Sequence, residues 1–495
     1  MQCKKSSRVA FVSLGCAKNL VDSEVMIGKL GQAGWELVPE PVEADAIVIN
    51  TCAFIDPAKA ESTDTILAHA AQKRSEQQLI VAGCLSQRFG EQLRVLVPEI
   101  DGIVGTGAYA SIVDVLAEAR AGRAPVRLNY EPPPEHDFLP RLITTPRATA
   151  YLKVAEGCDH PCTFCIIPQL RGPFRSRRRE SVLAEARALA GGGVKELILI
   201  AQDTSMYGRD RGLRRGGLAQ LLGDLHAIDG LAWIRLLYLY PATVDDELIE
   251  ALATLPKVCK YVDMPLQHAH PEVLRGMRRP SNGERYLEIF AALRSRVPGV
   301  TLRSTFIVGF PGETDEHVDY LHDWLGRAEL DRVGFFTYSR EEGTPAATLG
   351  PRIPVKTQRV RLLRLREAQR HASARARSKR LGRVERVLVE EHKALRPGDP
   401  LRGALQSARA WSARSMGEAP GVDGNVYFTG KAAAGEFVEV RLEGCTAFDF
   451  HGTLMPVPEL SAGNRPVPEL GAGNRPVPEL ARREPDSDPG ERSVR

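Results

Sequence analysis

The first part of the chain alternates short apolar runs with stretches of helical periodicity. The apolar runs begin at Val9, Ala46 and Leu79, and between them apolar residues recur every three or four positions, as in residues 20–33 and 57–73. Alternating strands and helices are typical of a parallel sheet with helices packed on its faces. The pattern therefore predicts an N-terminal parallel α/β domain over residues 1–140.

The same alternation continues through residues 141–380. Apolar runs of strand character occupy residues 151–156, 196–201, 233–240, 261–266, 302–309 and 332–338. A closed barrel of this kind has eight strand–helix units and carries its site at the carboxyl ends of the strands. Six units predict a partial (β/α)6 barrel, which is open along one side and could admit a macromolecular substrate there.

A basic segment follows the predicted barrel. Residues 352–386 are rich in arginine, and apolar residues at helical spacing predict one buried face, formed by Val360, Leu362, Leu363, Leu365, Ala368 and Ala372. Two roles are open for this helix. Its basic exterior could contact RNA, or the helix could simply brace the barrel.

The end of the chain has two parts of different character. Residues 381–455 hold short apolar runs separated by Pro-Gly-Asp and Asp-Gly-Asn turns, which predict a small antiparallel β-barrel. In residues 456–495 the run Pro-Val-Pro-Glu-Leu recurs at Pro456, Pro466 and Pro476. This composition predicts a disordered repeat tail.

Composition and charge bear mainly on the compartment. The 495 residues include 9 cysteines and carry a net charge of +4, so an argument for nucleic-acid binding must rest on local patches. No stretch approaches the roughly 18 apolar residues of a membrane span, and the apolar run from Val9 to Leu14 is too short to predict a secretory signal. An odd number of cysteines without an export signal predicts a cytoplasmic protein with reduced thiols.

Three cysteines follow the first predicted barrel strand in a Cys-x3-Cys-x2-Cys pattern, namely Cys158, Cys162 and Cys165. Zinc sites usually take four protein ligands, and a 4Fe-4S cluster usually takes four cysteines. Three thiolates on a four-iron cluster would leave one iron open to an external ligand, which points to chemistry rather than to scaffolding. The alternatives are a zinc knuckle completed by His160 and a chance group of buried thiols.

Each of the three N-terminal strands ends near a cysteine, at Cys16, Cys52 and Cys84. Taken alone, a thiol at the end of a buried strand usually acts as a small hydrophobic side chain. Because the carboxyl ends of parallel strands share one edge of a sheet, we expect these three thiols to lie together. They would then hold a second cluster that also has an open iron.

On these residues the chain resembles the radical S-adenosylmethionine methylthiotransferases, and the resemblance runs from residue 8 to residue 455. It rests on the Cys158 motif together with Gly15-Cys16-Ala17-Lys18-Asn19, Asn50-Thr51-Cys52-Ala53-Phe54 and Ala82-Gly83-Cys84-Leu85. The resemblance implies two 4Fe-4S clusters, S-adenosylmethionine as cofactor, and a TRAM domain at residues 381–455. It assigns no catalytic residue beyond the cluster cysteines.

The run from Asp263 to His268, together with the Cys16 motif, resembles the branch that acts on ribosomal protein S-twelve of the small subunit. That branch modifies the β-carbon of an aspartate. The implied partners are this protein, free or on the small ribosomal subunit, and an electron donor, with no membrane. Two other functions stay open: methylthiolation of a transfer-RNA adenosine, and a non-catalytic, metal-stabilised RNA-binding protein.

The resemblance also suggests contacts for S-adenosylmethionine. The glycine run that contains Gly192 and Gly193 lies where the family contacts the amino group of this cofactor, and Glu196, Gln202 and Arg171 are further candidates. For the glycines, a helix cap followed by a turn is an equal explanation. For the arginines after the cysteine motif, the alternative is a solvated charged face.

Overall fold

The computed structural model describes residues 6–128, 140–213 and 215–456. The predicted repeat tail, apart from Pro456, lies outside the described residues.

The N-terminal domain is a six-stranded parallel sheet with strand order β2-β1-β3-β4-β5-β6. Strand β3 is buried at every position because helices cover both faces of the sheet. The predicted parallel α/β domain is therefore confirmed. Its elements are β1 (Arg8–Ser13), α1 (Ala17–Gln32), β2 (Glu36–Leu37), β3 (Ala46–Thr51), α2 (Asp56–Gln72), β4 (Gln78–Gly83), α3 (Cys84–Phe89), α4 (Gln92–Leu96), β5 (Gly102–Val104), α5 (Ile112–Arg120) and β6 (Val126–Arg127).

The central domain contains six parallel strands in two hydrogen-bonded ladders, β7-β10-β11 and β12-β13-β14. The backbone of Leu239 donates to the carbonyl of Asp263 (2.8 Å) and joins the two ladders. The predicted partial barrel is confirmed. Its elements are β7 (Thr149–Lys153), β8 (Ala155–Glu156), α6 (Ile167–Arg171), β9 (Arg175–Ser176), α7 (Arg179–Gly191), β10 (Glu196–Ile200), α8 (Gly217–His226), β11 (Trp233–Leu236), α9 (Asp246–Thr254), β12 (Tyr261–Asp263), α10 (Pro271–Gly276), α11 (Gly283–Arg296), β13 (Thr301–Val308), α12 (Asp315–Ala328) and β14 (Arg332–Thr337).

The two faces of the barrel sheet have different neighbours. Leu197 and Leu199 of β10 pack with the surrounding helices, whereas Ile198 and Ile200, which alternate with them, face the other way. That inner face packs against Val21 of α1 and against residues of the third domain, including Leu388 and Ala419. The other two domains therefore cover the concave side of the open barrel.

The third domain follows a long helix and forms a closed five-stranded barrel with strand order β15-β16-β17-β19-β18. The predicted small barrel is confirmed, but it is not antiparallel throughout, since β17 and β19 pair in parallel. Five strands in a closed ring cannot alternate in direction all the way round, so one pair must be parallel. The elements are α13 (Val355–Ser378), β15 (Val384–Ala394), α14 (Pro400–Ala404), β16 (Arg409–Arg414), β17 (Val426–Thr429), β18 (Phe437–Cys445) and β19 (Phe450–Leu454).

The apolar face predicted for the basic helix is partly wrong. Leu365 and Ala372 are buried, but Val360 is 60% exposed and Leu363 is 55% exposed. The buried stripe of α13 includes polar residues at helical spacing instead, such as Gln369, whose amide donates to the carbonyl of Leu330 (2.8 Å). Polar pairing thus replaces apolar packing over part of this interface.

No helix within residues 6–128, 140–213 and 215–456 is long and apolar enough to cross a membrane.

Candidate metal centres and cofactor site

The first thiol trio consists of Cys16, Cys52 and Cys84, which lie at the carboxyl ends of the adjacent strands β1, β3 and β4. Cys16 is exposed, and the other two are buried. Gly15, with φ of +87°, lies against this group, since a Cβ atom there would stand 3.2 Å from the Cys52 sulfur. The parallel order of the strands brings the three strand ends to one edge, as the sequence predicts.

Helix positions and charges favour ionisation of part of this trio. Cys16 is the N-cap of α1, where the helix dipole stabilises a thiolate, whereas burial raises the pKa of Cys84, the first residue of α3. Desolvation opposes ionisation of Cys16, but the charges of Lys18 and Arg171 lower its pKa. Burial, followed by the neighbouring thiols of Cys84 and Cys16, raises the pKa of Cys52 to about 12.

Asn19 and Arg171 hold the first trio in place. The Asn19 amide donates to the carbonyls of Thr51 (2.8 Å) and Leu14 (3.1 Å), which come just before Cys52 and Gly15. Arg171 donates to the Asn19 side-chain oxygen and to the Cys84 sulfur, the latter at 3.7 Å. A guanidinium group therefore faces the thiols from the barrel side.

The second thiol trio, Cys158, Cys162 and Cys165, lies on the loop between β8 and α6. Three backbone hydrogen bonds pin this loop. The amide of Cys158 donates to Gly172 (3.1 Å), the amide of Thr163 donates to Met277 (3.1 Å), and the carbonyl of Thr163 accepts from Ala346 (2.9 Å). Gly157 has φ of +82°, and a Cβ atom there would lie 2.0 Å from the Pro173 carbonyl oxygen, so the entry to the loop requires glycine.

Arginine and aromatic groups surround the second trio. The Arg279 guanidinium donates to the Cys162 sulfur (3.6 Å) and lies 4.5 Å from the centre of the Tyr240 ring. His160 stacks on Tyr240 with 3.8 Å between ring centres, and its Nε2 is 2.6 Å from a carboxylate oxygen of Asp203. These partners occupy His160, which argues against a zinc knuckle. Burial raises the pKa of Cys158 to about 11 and that of Cys165 to about 12.

The spacing of the sulfurs fits a cluster better than a single ion. Among the described residues, only His270, Glu272 and His317 bring three ligand atoms within 4.8 Å of one another, so neither thiol trio is that compact. Tetrahedral zinc with sulfur ligands at 2.3 Å needs neighbouring sulfurs about 3.8 Å apart. In a 4Fe-4S cluster each thiolate binds a different iron, which requires a wider spacing. Neither trio is therefore compact enough for a single zinc ion bound by all three of its sulfurs.

Helix α6 joins the two trios. It begins two residues after Cys165 and ends at Arg171, which contacts Cys84. Ile166 and Leu170 are buried in the core of the N-terminal domain, so this part of the barrel chain packs inside the neighbouring domain. Helix α6 thus connects the loop of the second trio to Arg171, a residue that contacts the first trio.

Two of the predicted cofactor contacts lie at the carboxyl end of the barrel sheet. Arg171 and Gln202 both donate to Glu156, at 3.1 Å and 2.6 Å, and Lys153 donates to it at 2.7 Å. Despite desolvation, the charges of Arg171 and Lys153 hold the pKa of Glu156 well below its ordinary value. The side-chain oxygen of Gln202 is buried and has no hydrogen-bond partner in the described structure.

The structure does not bring the other three predicted contacts to this end. Gly192 caps α7, its amide donating to Ala188 (3.0 Å), and Gly193 follows it at the amino end of β10. Glu196 is fully buried at that end and accepts hydrogen bonds from Arg235 (2.8 Å) and Arg414 (2.6 Å). Against the effect of burial, these two arginines lower the pKa of Glu196 to about 2. The helix-cap explanation therefore accounts for the glycines, and Glu196 ties the barrel to the third domain.

Sequence reasoning missed Arg279 and Tyr240. Neither residue belongs to a short motif, and each reaches the second trio only because the barrel places its loop there. The strongest available signal was for Tyr240, which is the last residue of the apolar run 233–240, because barrel enzymes carry functional residues at the carboxyl ends of strands.

Comparisons with known proteins agree with this division of the chain. The model described as uncharacterized protein family UPF0004 matches residues 8–105. The radical SAM superfamily model matches residues 152–325, and the TRAM domain model matches residues 381–455.

Two relatives resemble this chain over nearly their whole length, and both are named ribosomal protein uS12 methylthiotransferase RimO. The relative from Pelotomaculum thermopropionicum is 44% identical over 90% of this chain and 98% of its own. The relative from Symbiobacterium thermophilum is 46% identical, with 90% of each chain covered.

Among solved structures, the radical S-adenosylmethionine methyltransferase TsrM from Kitasatospora setae, with cobalamin and a 4Fe-4S cluster bound, has a TM-score of 0.50 and 17% identity over 69% of this chain and 77% of its own. The likeness to TsrM concerns the fold alone.

Proposed function

The chain belongs to the family of ribosomal protein uS12 methylthiotransferases, and from that membership we propose that it attaches a methylthio group to an aspartate of uS12, at the β-carbon. The observation that carries this proposal is the pair of thiol trios, which α6 connects through the contact of Arg171 with Cys84. A reaction that stores sulfur at one centre and generates a radical at another needs both centres within reach of one substrate carbon.

In this proposal each trio holds one 4Fe-4S cluster through three thiolates. When bound, the second cluster and S-adenosylmethionine supply the radical chemistry that removes hydrogen from carbon, and the first cluster supplies the methylated sulfur. The chain itself positions the ligands. Gly157 and the hydrogen bonds of the loop fix the second trio, while Asn19 and Arg171 fix the first. Reductive cleavage of S-adenosylmethionine takes up one electron, so an external electron donor is part of the proposal.

We place S-adenosylmethionine at the carboxyl ends of the barrel strands, beside the second trio. The unpartnered side-chain oxygen of Gln202 can accept a hydrogen bond from the ammonium group of this cofactor. Arg279 and the His160–Asp203 pair hold the loop side of the same space. Arg171 serves as a positioning residue for the first trio, because its guanidinium already has four protein partners.

Contact with ribosomal RNA belongs to the third domain in this proposal. Much of the charge on α13 is used within the protein, since Arg361, Arg364 and Arg370 pair with carboxylates. In this proposal the TRAM domain is therefore the part of the chain that contacts RNA of the small subunit. The other two functions, action on transfer RNA and non-catalytic RNA binding, are not favoured by relatives that are named for uS12.

Cysteine variants test the proposal. Cys162→Ala should lose roughly four iron atoms per chain and stop formation of 5′-deoxyadenosine from S-adenosylmethionine. Cys52→Ala should lose a similar amount of iron and keep that formation, but transfer no methylthio group to uS12. The matched control is Cys445→Ala, because Cys445 is a partly buried free thiol of the third domain, outside both trios.

The readouts are iron and acid-labile sulfide content, deoxyadenosine by chromatography, and mass spectrometry of uS12 and transfer RNA. Continued deoxyadenosine formation by Cys162→Ala would contradict the assignment of the second trio. Methylthioadenosine in transfer RNA, with unmodified uS12, would contradict the substrate.

A further inference from the structure

Lys18 is a buried ammonium group with no carboxylate partner in the described part of the chain, beside the Cys16 thiol that the proposed function assigns to a cluster. Its side chain lies in the first turn of α1 and is only 8% exposed. Its Nζ atom lies 3.3 Å from the centre of the Tyr238 ring, and no hydrogen-bond acceptor or carboxylate pairs with it among the described residues. By contrast, the nearby cations Lys153 and Arg171 each contact two carboxylates.

The carboxylates near Lys18 are already paired with other groups. Asp263 accepts a hydrogen bond from Arg303 (2.7 Å), and Glu156 is held by Arg171 and Lys153. A buried cation normally has an anionic partner, because the loss of hydration is otherwise uncompensated. The contact with the Tyr238 ring offsets only part of that cost.

The ring beneath Lys18 is held in place by an unusual backbone. Tyr238 has φ of +62°, a conformation that is unfavourable for a residue other than glycine. The conformation is kept by two hydrogen bonds: the amide of Tyr238 donates to the Asp263 carboxylate (3.1 Å), and its carbonyl accepts from Thr204 (2.9 Å). The carboxyl ends of β11 and β12 therefore build a fixed platform for this ammonium group.

We propose that Lys18 binds the side-chain carboxylate of the substrate aspartate. The proposal rests on the function proposed above and adds the residue that selects the substrate. Lys18 is two positions from Cys16, a ligand of the sulfur-bearing trio. In aspartate the β-carbon is bonded directly to the carboxylate carbon, so a carboxylate held at Lys18 brings the reacting carbon beside that trio. An adenine ring has no anionic group at its reacting carbon and gains nothing from this ammonium.

Two other anions could occupy the same position. One is the carboxylate of S-adenosylmethionine, and the other is an anionic sulfur species at the first trio. Arg279, which contacts Cys162, lies at the second trio where S-adenosylmethionine is placed, whereas Lys18 lies at the first. The substrate carboxylate is therefore the assignment that the positions favour, and the experiment separates all three.

The test compares Lys18→Met, which keeps the length of the side chain and removes its charge, with Lys18→Arg, which keeps the charge. Lys29→Met is the matched control, because Lys29 lies in the last turn of the same helix. Each protein, with iron and sulfide reconstituted, is titrated with uS12 that carries either aspartate or asparagine at the modified position. Methylthiolation of both forms is then measured, together with deoxyadenosine formation in the absence of uS12.

Lys18→Met should bind the aspartate form about 10- to 100-fold more weakly, the range expected for a hydrogen bond to a charged group, and its affinity for the asparagine form should be unchanged. Lys18→Arg should recover part of the preference for aspartate, and Lys29→Met should behave as wild type. Deoxyadenosine formation without uS12 should be the same in all four proteins. The iron and sulfide content should also be equal.

Three results would overturn the assignment. An unchanged preference of Lys18→Met for aspartate would remove Lys18 from substrate recognition. A higher concentration of S-adenosylmethionine needed for deoxyadenosine formation would assign Lys18 to the cofactor, and a lower sulfide content would assign it to the first trio. If the wild-type protein leaves uS12 unmodified, the proposed function fails instead, and the two failures are thereby distinguished.

Discussion

Replacing Glu196 with glutamine tests whether this residue joins domains or contacts the cofactor. Glu196 accepts hydrogen bonds from Arg235 (2.8 Å) and from Arg414 of the third domain (2.6 Å). All three side chains are fully buried. Glu196→Gln keeps the shape of the side chain, but it leaves two guanidinium groups facing a neutral amide in the interior.

Two independent routes give the size of the effect. Removing one partner of a buried ion pair typically costs about 3–5 kcal/mol, because the remaining charge is uncompensated. The pKa of Glu196 is about 2 against an ordinary value of 4.5, and at 1.36 kcal/mol per pKa unit this difference corresponds to about 3 kcal/mol. We therefore expect Glu196→Gln to lower the free energy of opening between the barrel and the third domain by about 3 kcal/mol.

Hydrogen exchange in β15–β19, measured along a urea titration, reports this interface separately from the rest of the chain. The control is Glu284→Gln, which removes the partner of Arg327 from an exposed ion pair and should change exchange little. The affinity of Glu196→Gln for S-adenosylmethionine should equal that of wild type. Unchanged hydrogen exchange combined with weaker binding of S-adenosylmethionine would refute this reasoning and would indicate that Glu196 contacts the cofactor.

Two further predictions concern acid and the cysteine loop. Buried arginines lower the pKa values of both Glu196 and Glu418 to about 2, so their stabilisation is complete above about pH 4.5 and is lost as the pH falls towards 2. Hydrogen exchange of the third domain should therefore accelerate over that window, and constant protection down to about pH 2 would contradict the prediction. Gly157→Ala should lower the iron bound at the second trio several-fold, because the new Cβ atom would lie 2.0 Å from the Pro173 oxygen. Gly193→Ala is the control, since Gly193 also has a positive φ, of +94°, but open space around it; an equal loss of iron in both variants would mean that backbone strain alone is responsible.

Most of the fold could be predicted from the spacing of apolar residues. Strands such as β3 are buried on both faces, so they read as continuous apolar runs, and the helices between them bury one stripe each. The face of α13 was harder to predict because Gln369 and Arg361 take buried positions through specific polar partners. A polar residue that finds a partner only in the folded chain looks, in the sequence, like a surface residue.

Some residues of the candidate site could likewise be predicted from the sequence, and others could not. The six cysteines could be located because one trio is a local motif and the other follows the shared edge of a parallel sheet. The glycine run before β10 misled because a helix cap and a ligand loop have the same composition. The roles of Arg279 and Lys18 depend on contacts between distant parts of the chain. Arg279 contacts Cys162 and Lys18 contacts Tyr238, and no local sequence pattern indicates such contacts.

The length of helix α6 sets the distance between the two thiol trios. It spans Ile167–Arg171, directly after Ile166, and both ends are anchored, one by the cysteine loop and the other by the core of the N-terminal domain. Each residue added to or removed from such a helix changes its length by about 1.5 Å and turns its end by about 100°. A chain that kept all six cysteines but altered this segment would hold the same ligands at another distance and orientation. The length of α6 therefore matters for the geometry of the two trios as much as the cysteines themselves do.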